Sequence, residues 1–192
     1  DVIAGNAPTT RTTIWDMGDL EDPLLVTMFM GSLPASAHNL YVKGDFVYQA
    51  NYRYGLHILD ISDPKDPKIV SQIEIPLNVH SHKVNVSGDI MLVNHEKYRS
   101  YEGSEVSRGG LKIFDISNKA NPREISFVEA GEWGYHRFTF DGRYCYGSPC
   151  PEGYEGNIVG ILDLKNPEKP EYASMWWAPG QWVGGGEEPR PE

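Results

Sequence analysis

The sequence predicts an all-β fold built from repeated four-stranded antiparallel units. Four similar segments begin at Ile14, Ile58, Ile113 and Ile161, and each carries an Asp that is followed seven residues later by a Pro. Successive copies of this Asp are 44, 55 and 48 residues apart. Repeats of about 40 to 50 residues with strand-like patterns are typical of β-propeller blades. No segment shows convincing helical periodicity, so we expect an all-β propeller segment.

A second repeated element precedes each of the last three copies. It reads HNLYVKGDFVYQA from His38, HKVNVSGDIMLVN from His82 and HRFTFDGRYCYGS from His136. Apolar and polar residues alternate with a period of two around a Gly-containing turn, which predicts a β-hairpin. This hairpin supplies strands A and B of each unit. Strand C ends at the repeated Asp, and strand D follows the Pro-containing turn, since Pro is excluded from central strands.

Counting these units predicts three complete blades and one half blade. The complete blades are expected at 35–76, 79–130 and 134–178, with only strands C and D of an earlier blade at 12–30. Residues 179–192 form a loop or the start of the next blade. Propellers usually close with about four to eight blades, so this chain alone does not close a ring. We expect the remaining blades to come from missing sequence, from a second chain, or from a homo-oligomer.

The core pattern of each repeat resembles that of a known family. The segments GLHILDISDP from Gly55 and GLKIFDISNK from Gly110 are similar to those of the LVIVD-repeat β-propellers, which are bacterial and archaeal proteins. The resemblance extends over nearly all of 12–178 and implies the propeller fold. It implies no particular activity, because members of this family share no single function and a fold does not determine one.

Composition restricts the possible partners and locations. The chain has 192 residues, 40% of them hydrophobic, and a formal net charge of −10, which favours one soluble globular domain. We expect no binding to nucleic acid or anionic membranes, because both select basic surfaces. The chain begins Asp1-Val2-Ile3, so we expect a processed or truncated N-terminus and leave cytoplasmic and exported locations open. Cys145 and Cys150 do not make a disulfide framework, and we expect free thiols; the alternatives are a bridge that closes a very short loop and metal ligation.

The predicted topology indicates which end of the propeller carries a site. The A strands line the central channel, and the D-to-A and B-to-C connections lie together at one end, here called the mouth. The long and dissimilar segments 94–110, 148–157 and 179–192 belong to this end. Individual loops grouped on one rim commonly carry binding and catalysis. We expect them to enclose a small organic substrate.

Three histidines occupy the same position at the start of strand A. His38, His82 and His136 lie 22, 22 and 21 residues after the preceding repeated Asp. Equivalent positions on inner strands surround the channel, so the three imidazoles are expected to converge at the mouth. His80 lies two residues before His82 and faces the same side of the strand. Imidazoles without thiolates favour a transition metal ion, which could be Fe, Cu, Zn, Ni or Mn. The alternative is a structural role in bonding neighbouring blades.

Other polar and aromatic residues are candidates for supporting roles. We consider His95, Glu96, Glu132 and Glu187 as catalytic acids or bases near the mouth. For the glutamates the alternative is a solvated acidic rim. Rim aromatics either wall a substrate pocket or pack between blades: Tyr98, Tyr101, Trp133, Tyr135, Tyr154, Trp177 and Trp182.

Two sets of polar residues are expected to have other roles. His57 aligns with Lys112 of the next repeat, which predicts a solvated position. The repeated aspartates, by contrast, occur at the end of the blade away from the mouth, where they favour turns rather than catalysis.

The sequence therefore predicts a metal-dependent enzyme that acts on a small organic molecule at the axial mouth of a propeller. The alternative is a non-catalytic propeller that binds a protein or a glycan on its rim.

Overall fold

The structure is a computed structural model that describes residues 9–34, 37–52, 54–76, 79–97 and 108–189. Across these ranges the chain forms fifteen β-strands and one short 3-10 helix, Val183–Gly185, which confirms the predicted all-β class. The strands make four antiparallel sheets that follow one another along the chain. None of the helical structure in these ranges is long and apolar enough to span a bilayer.

Each sheet is formed by strands that are consecutive in sequence. The N-terminal sheet contains β1 (Thr9–Asp16) and β2 (Leu24–Pro34). The first blade contains β3 (Asn39–Lys43), β4 (Phe46–Ala50), β5 (Leu56–Asp60) and β6 (Lys68–Ile73). The second blade contains β7 (Val79–His80), β8 (Val84–Ser87), β9 (Ile90–Lys97), β10 (Gly110–Asp115) and β11 (Arg123–Glu129). The third blade contains β12 (Tyr135–Phe140), β13 (Tyr144–Pro149), β14 (Val159–Asp163) and β15 (Glu171–Trp176).

The repeated aspartates form the turn between strands C and D in all four sheets. In each copy the carboxylate Oδ1 accepts a hydrogen bond from the backbone N–H two residues later: Asp16 from Gly18, Asp60 from Ser62, Asp115 from Ser117 and Asp163 from Lys165. This side-chain bond mimics a backbone turn. The pKa of Asp115 is lowered to about 2, chiefly by the Ser117 N–H. The turn interpretation of these residues is confirmed.

Two apolar clusters lie between consecutive blades. The first joins Leu56 and Ile58 of β5 to Val84 and Phe114 of the second blade. The second cluster joins the second and third blades: Leu92, Leu111, Ile113, Phe138 and Leu162. The second blade therefore buries one face against the first blade and the other against the third, which is how propeller blades remove apolar surface from water.

Polar side chains hold the inner strands of successive blades side by side. Oδ1 of Asn39 accepts a hydrogen bond from the Val84 N–H, and Oδ1 of Asn85 accepts one from the Phe140 N–H. The A strands β3, β8 and β12 thus run next to one another. Consequently, the residues that begin these strands lie close together at one end of the sheets.

The prediction that His57 is solvated was wrong. Its side chain is buried, and burial lowers its pKa from the usual value. His57 pairs with Gln49 across β4 and β5, and Gln49 in turn accepts a hydrogen bond from Thr12 of the N-terminal sheet. The N-terminal sheet thus covers the position of His57. At the equivalent position of the second blade, Lys112 extends its ammonium group to Glu124.

The two cysteines are not joined by a disulfide. Cys145 lies on β13 in the apolar cluster between the second and third blades. Burial raises the pKa of its thiol to about 12, so this thiol stays protonated at neutral pH.

Candidate metal centre at the channel mouth

The structure brings together three of the histidines singled out by the repeat. The ring centroids of His38 and His82 are 5.1 Å apart, and those of His82 and His136 are 5.0 Å apart. Each residue lies at the start of the A strand of a different blade. His82 therefore occupies the centre of a row of three imidazoles, with one blade contributing each ring.

Glu96 joins two of these imidazoles. Its Oε1 lies 3.0 Å from Nδ1 of His136, and its Oε2 lies 3.3 Å from Nδ1 of His82. Ligand-capable atoms of these three residues all lie within 4.8 Å of one another. The His82 side chain is only 3% exposed and that of Glu96 16%, whereas that of His136 is 46% exposed. The group is thus anchored in the protein on one side and open to solvent on the other.

Asn94 fixes the His82 imidazole. The Asn94 Oδ1 accepts hydrogen bonds of 2.8 Å from the backbone N–H groups of both His82 and Lys83. Because two donors define that atom as the oxygen, the amide nitrogen must point the other way. It lies 2.9 Å from Nδ1 of His82 and also donates to the Tyr135 carbonyl. Asn94 therefore links the His82 ring to the residue that precedes His136.

The hydrogen bonds determine which nitrogen carries the proton in each neutral ring. Nδ1 of His82 accepts from Asn94, so the proton of this ring is on Nε2. Nδ1 of His38 lies 2.9 Å from the His82 carbonyl oxygen, and Nδ1 of His136 faces the Glu96 carboxylate. Both of these partners only accept, so His38 and His136 carry their protons on Nδ1. Their Nε2 lone pairs are left for a ligand or a proton.

Tyr52 is a residue of the mouth that the sequence analysis missed. Its ring contacts His38 edge-on at 4.9 Å and stacks on His82 at 6.1 Å. Its backbone φ is 50°, a conformation that non-glycine residues seldom adopt, and its carbonyl accepts a hydrogen bond from the Ser81 N–H. Only its place in the B-to-C loop, two residues after the end of β4, could have drawn attention to it.

Asn94 had a weak sequence signal. It lies 12 residues after His82, and Ser148 lies 12 residues after His136. Ser148 makes the equivalent bond, since its Oγ accepts from the Arg137 N–H. A polar residue at this offset in two blades indicates side-chain bonding to the start of strand A.

The structure separates His95 from Glu96, although the two are neighbours in β9. Successive side chains of a strand point to opposite faces. His95 is buried, with its ring edge-on to Phe127 at 5.6 Å. Burial, together with the Lys112 charge, lowers the His95 pKa to about 4. Its geometry favours a buried neutral imidazole in the sheet.

The remaining predicted site residues have other partners. The backbone of His80 pairs with Glu96 in the sheet, whereas its side chain lies outside the described part of the structure. Glu132 forms an ion pair with Lys97. The Glu187 carboxylate accepts hydrogen bonds from the N–H groups of Trp182, Gly180 and the Trp177 indole, and the first of these is the main cause of its lowered pKa. Glu187 thus closes its own loop.

The rim aromatics divide into three groups. Tyr154, Trp177 and Trp182 pack together, with ring centroids 5.3 to 6.4 Å apart. Trp133 lies beside the Lys97 ammonium group, 5.6 Å from ring centroid to nitrogen. Tyr135 is buried and its hydroxyl lies 2.7 Å from that of Tyr172. Tyr98 and Tyr101 lie outside the described residues.

Gly134 allows the chain to enter β12 next to the group formed by His82, Glu96 and His136. Its φ is 82°, and a Cβ at this position would lie 2.5 Å from the Gly110 nitrogen and 2.6 Å from the His95 carbonyl oxygen. Only glycine combines this backbone conformation with so close an approach. The backbone of His136 is therefore held tightly against the end of β9.

Comparisons with known proteins agree with the fold. The LVIVD repeat model matches residues 34–74 and 106–129. No curated protein matches the chain significantly. Among the solved structures that match is a functionally unknown protein from Desulfotomaculum acetoxidans DSM 771, at 19% identity and a TM-score of 0.59; the match covers 88% of this chain and 49% of that one. The chain thus spans about half the length of this neighbour, and the likeness shows the fold alone.

The repeated motif, the antiparallel four-stranded sheets and the match to the repeat model lead to one conclusion. The chain carries LVIVD repeats in antiparallel sheets that are consistent with propeller blades.

Proposed function

We propose that His82, Glu96 and His136 hold a divalent transition metal ion, and that this ion serves an enzymatic reaction on a small organic substrate at the mouth. The convergence of two imidazoles and one carboxylate from two blades is the observation that carries this proposal. Two histidines and one carboxylate are a donor set that binds Fe or Zn in enzymes and leaves coordination positions for substrate. Cu, Ni and Mn are also compatible with these ligands.

The distances support a shared ion. Two ligand atoms that each lie about 2.1 Å from a tetrahedral ion are about 3.4 Å apart. The separations between the carboxylate oxygens of Glu96 and the Nδ1 atoms of His136 and His82 are 3.0 and 3.3 Å. An ion bound at Nδ1 of His136 would displace the proton that this nitrogen carries in the metal-free protein, because metal ligands bind in their deprotonated form. Nδ1 of His82 carries no proton, because its lone pair accepts the bond from the Asn94 amide, and an ion bound there would take the place of that bond. Two acceptors at this distance repel each other, and a cation between them would remove the repulsion.

The exposure of the three side chains favours a catalytic site over a structural one. A structural ion is usually enclosed by four protein ligands, whereas a catalytic ion keeps an open position. His136 provides the open side. The aromatic group of Tyr154, Trp177 and Trp182 belongs to the connections at the same end of the third blade. A bound ion would act as a Lewis acid or activate water or dioxygen. His38, with its Nε2 lone pair and a carbonyl fixing its Nδ1, is suited to accept a proton or to add a ligand.

Metal binding by matched variants tests the proposal. The metal-free chain is titrated with Zn²⁺ and Fe²⁺ by calorimetry, and we expect one ion per chain. Glu96→Gln, His82→Ala and His136→Ala should each weaken binding at least tenfold. Glu132→Gln is the matched control, because it removes a carboxylate from the same rim that is already paired with Lys97. Equal weakening by the control and by Glu96→Gln would contradict the assignment.

The enzymatic part needs its own assay. Nitrophenyl esters report hydrolysis, and an oxygen electrode reports oxidative turnover with small phenolic and thiol probes. We expect turnover that depends on the added ion and disappears in Glu96→Gln. Tight metal binding without turnover of any probe would count against catalysis by the ion.

The second candidate function is a binding module for a glycan or a protein. The exposed Trp182 ring, stacked on Tyr154, favours this alternative, because exposed aromatic faces commonly contact sugars and partner proteins. Binding to a glycan array that is lost in Trp182→Ala, in a chain that binds no metal, would support the module instead of the enzyme.

A further inference from the structure

The third blade leaves open the sheet face that the earlier blades cover. Residues paired between strands B and C occupy the same register in each blade: Tyr48–Ile58, Leu92–Ile113 and Tyr146–Ile161. The first two pairs are 0% exposed, because the next blade packs on them. In the third blade Tyr146 is 40% exposed. The repeat itself therefore indicates a missing neighbour.

Two more residues extend this surface. Val159 pairs with Trp176 across β14 and β15, and they are 43% and 63% exposed. Their equivalents in the first blade are Leu56, which is 1% exposed, and Ile73, which packs against the cluster between the blades. We call Tyr146, Val159, Ile161 and Trp176 the end face.

The N-terminal sheet has a matching open surface. Trp15 directly precedes the repeated Asp16 and is 48% exposed. Its equivalents in the three blades are Leu59, Phe114 and Leu162, which are at most 4% exposed. Leu25 and Met28 lie on the same side of the sheet as Trp15, opposite the side on which Thr12 bonds to the first blade. We call Trp15, Leu25 and Met28 the start face.

We propose that the start face of a second copy of this chain packs on the end face of the first copy. The end face of the second copy then packs on the start face of the first, which closes a two-chain ring. At the interface between the second and third blades, Leu92 and Ile113 meet Leu162. In the proposed contact, Tyr146 and Ile161 of one copy meet Trp15 of the other, in the same register. The contact would thus continue an interface that the chain already contains between its own blades.

A polar contact of the existing interface can also be repeated. Ser126 of β11 donates from Oγ to the Pro167 carbonyl in the turn of the next blade. Ser174 has the register of Ser126, since each pairs with the isoleucine of strand C. The N-terminal sheet retains the corresponding turn between β1 and β2. The Leu20 carbonyl there has the sequence position of Pro167.

The length of the solved neighbour and the placement of the two faces favour a second copy as the occupant. The match covers 49% of that neighbour, so two such chains together have about its length. The two open faces lie at opposite ends of one chain and are not the same surface. Contacts between unlike faces form a closed ring when the rotation between copies returns to the start. Two copies leave neither face in water.

Native mass spectrometry and sedimentation velocity test the proposal on the 192-residue chain. We expect the mass of two chains at micromolar concentration. Trp15→Glu and Trp176→Glu should each give single chains with an unchanged far-UV circular dichroism spectrum. An equimolar mixture of these two variants should give a pair that contains one of each, because one variant keeps an intact end face and the other an intact start face. Val183→Glu, an exposed apolar position outside the strands, should remain paired.

Three results would overturn the proposal. The first is a single chain for the unaltered protein at every concentration tested. The second is a pair that survives both tryptophan substitutions. The third is a series of masses above two chains, which would show that the contact does not close.

Discussion

At the scale of single residues, Asn94 decides how the central imidazole of the mouth is presented. Its oxygen is held by two backbone donors, so its amide group must donate to Nδ1 of His82. We expect the metal-free protein to carry the neutral His82 proton on Nε2, and the His38 and His136 protons on Nδ1. Nitrogen-15 chemical shifts in long-range proton–nitrogen correlation spectra distinguish the two tautomers. A His82 ring protonated on Nδ1 would contradict the arrangement.

Removing the Asn94 side chain should also destabilise the fold. Asn94→Ala leaves the backbone N–H groups of His82 and Lys83 and the Tyr135 carbonyl without this partner in a buried region. Each buried group left unpaired costs about 1–3 kcal/mol, and water entering the gap offsets part of it. We expect a loss of about 3 kcal/mol in the free energy of unfolding, measured by urea denaturation. A loss below 1 kcal/mol would show that Asn94 is not a structural link.

His57 gives a pH-dependent prediction away from the mouth. Burial lowers its pKa in the folded state below the usual value near 6.5. Below that value the unfolded chain takes up a proton that the folded chain does not, so stability falls as the pH falls. His57→Leu removes this loss. The difference in unfolding free energy between variant and unaltered protein should therefore grow in favour of the variant from pH 7 to pH 5, and a constant difference would contradict it.

At the scale of structural elements, glycines set how closely the connections at the mouth pack. Gly134→Ala forces a Cβ to within 2.5 Å of the Gly110 nitrogen at a φ of 82°. The strained conformation and the overlap together cost about 2–4 kcal/mol. Gly44→Ala is a matched control, because its φ is also positive and no atom lies within 4 Å of the added Cβ. We expect it to cost only about 1 kcal/mol in thermal or urea unfolding. Equal losses in both variants would show that crowding at Gly134 is unimportant.

The elements were predictable from the sequence because their signals are local. Alternation around KGD and SGD is enough to define a hairpin, and the Asp-to-Pro spacing is enough to define the turn between strands C and D. The burial of His57 was not predictable, because the sheet that covers it lies 45 residues earlier, at Thr12. The alignment of His57 with Lys112 was misleading, because the two repeats pack against different neighbouring sheets.

The candidate site was predictable only in part, for the same reason. The shared offset of His38, His82 and His136 follows from the repeat, and the repeat places them on adjacent inner strands. Glu96 was a candidate only for its place at the end of a strand, as was His95. Which of the two residues faces the imidazoles depends on how β9 is registered against β7 and β8, on either side of an interruption where Asn94 bonds to the backbone of His82 and Lys83. No local pattern encodes that interruption.

At the scale of the whole molecule, the mouth and the open faces follow from one arrangement. Successive blades turn the start of each A strand toward a common axis, which brings the imidazoles together. The same arrangement exposes the Trp15 and Trp176 surfaces at the two ends of the row. Ring closure and the metal centre can be tested independently, because the tryptophan variants leave His82, Glu96 and His136 unaltered.

The most direct test of the account is a crystal structure of the zinc-loaded chain with data collected on both sides of the zinc absorption edge. We predict one anomalous peak per chain at the mouth, with imidazole nitrogens of His82 and His136 and a Glu96 carboxylate oxygen about 2.0–2.2 Å from it. The absence of a peak there, or a peak bound by none of these three residues, would contradict the proposed metal centre.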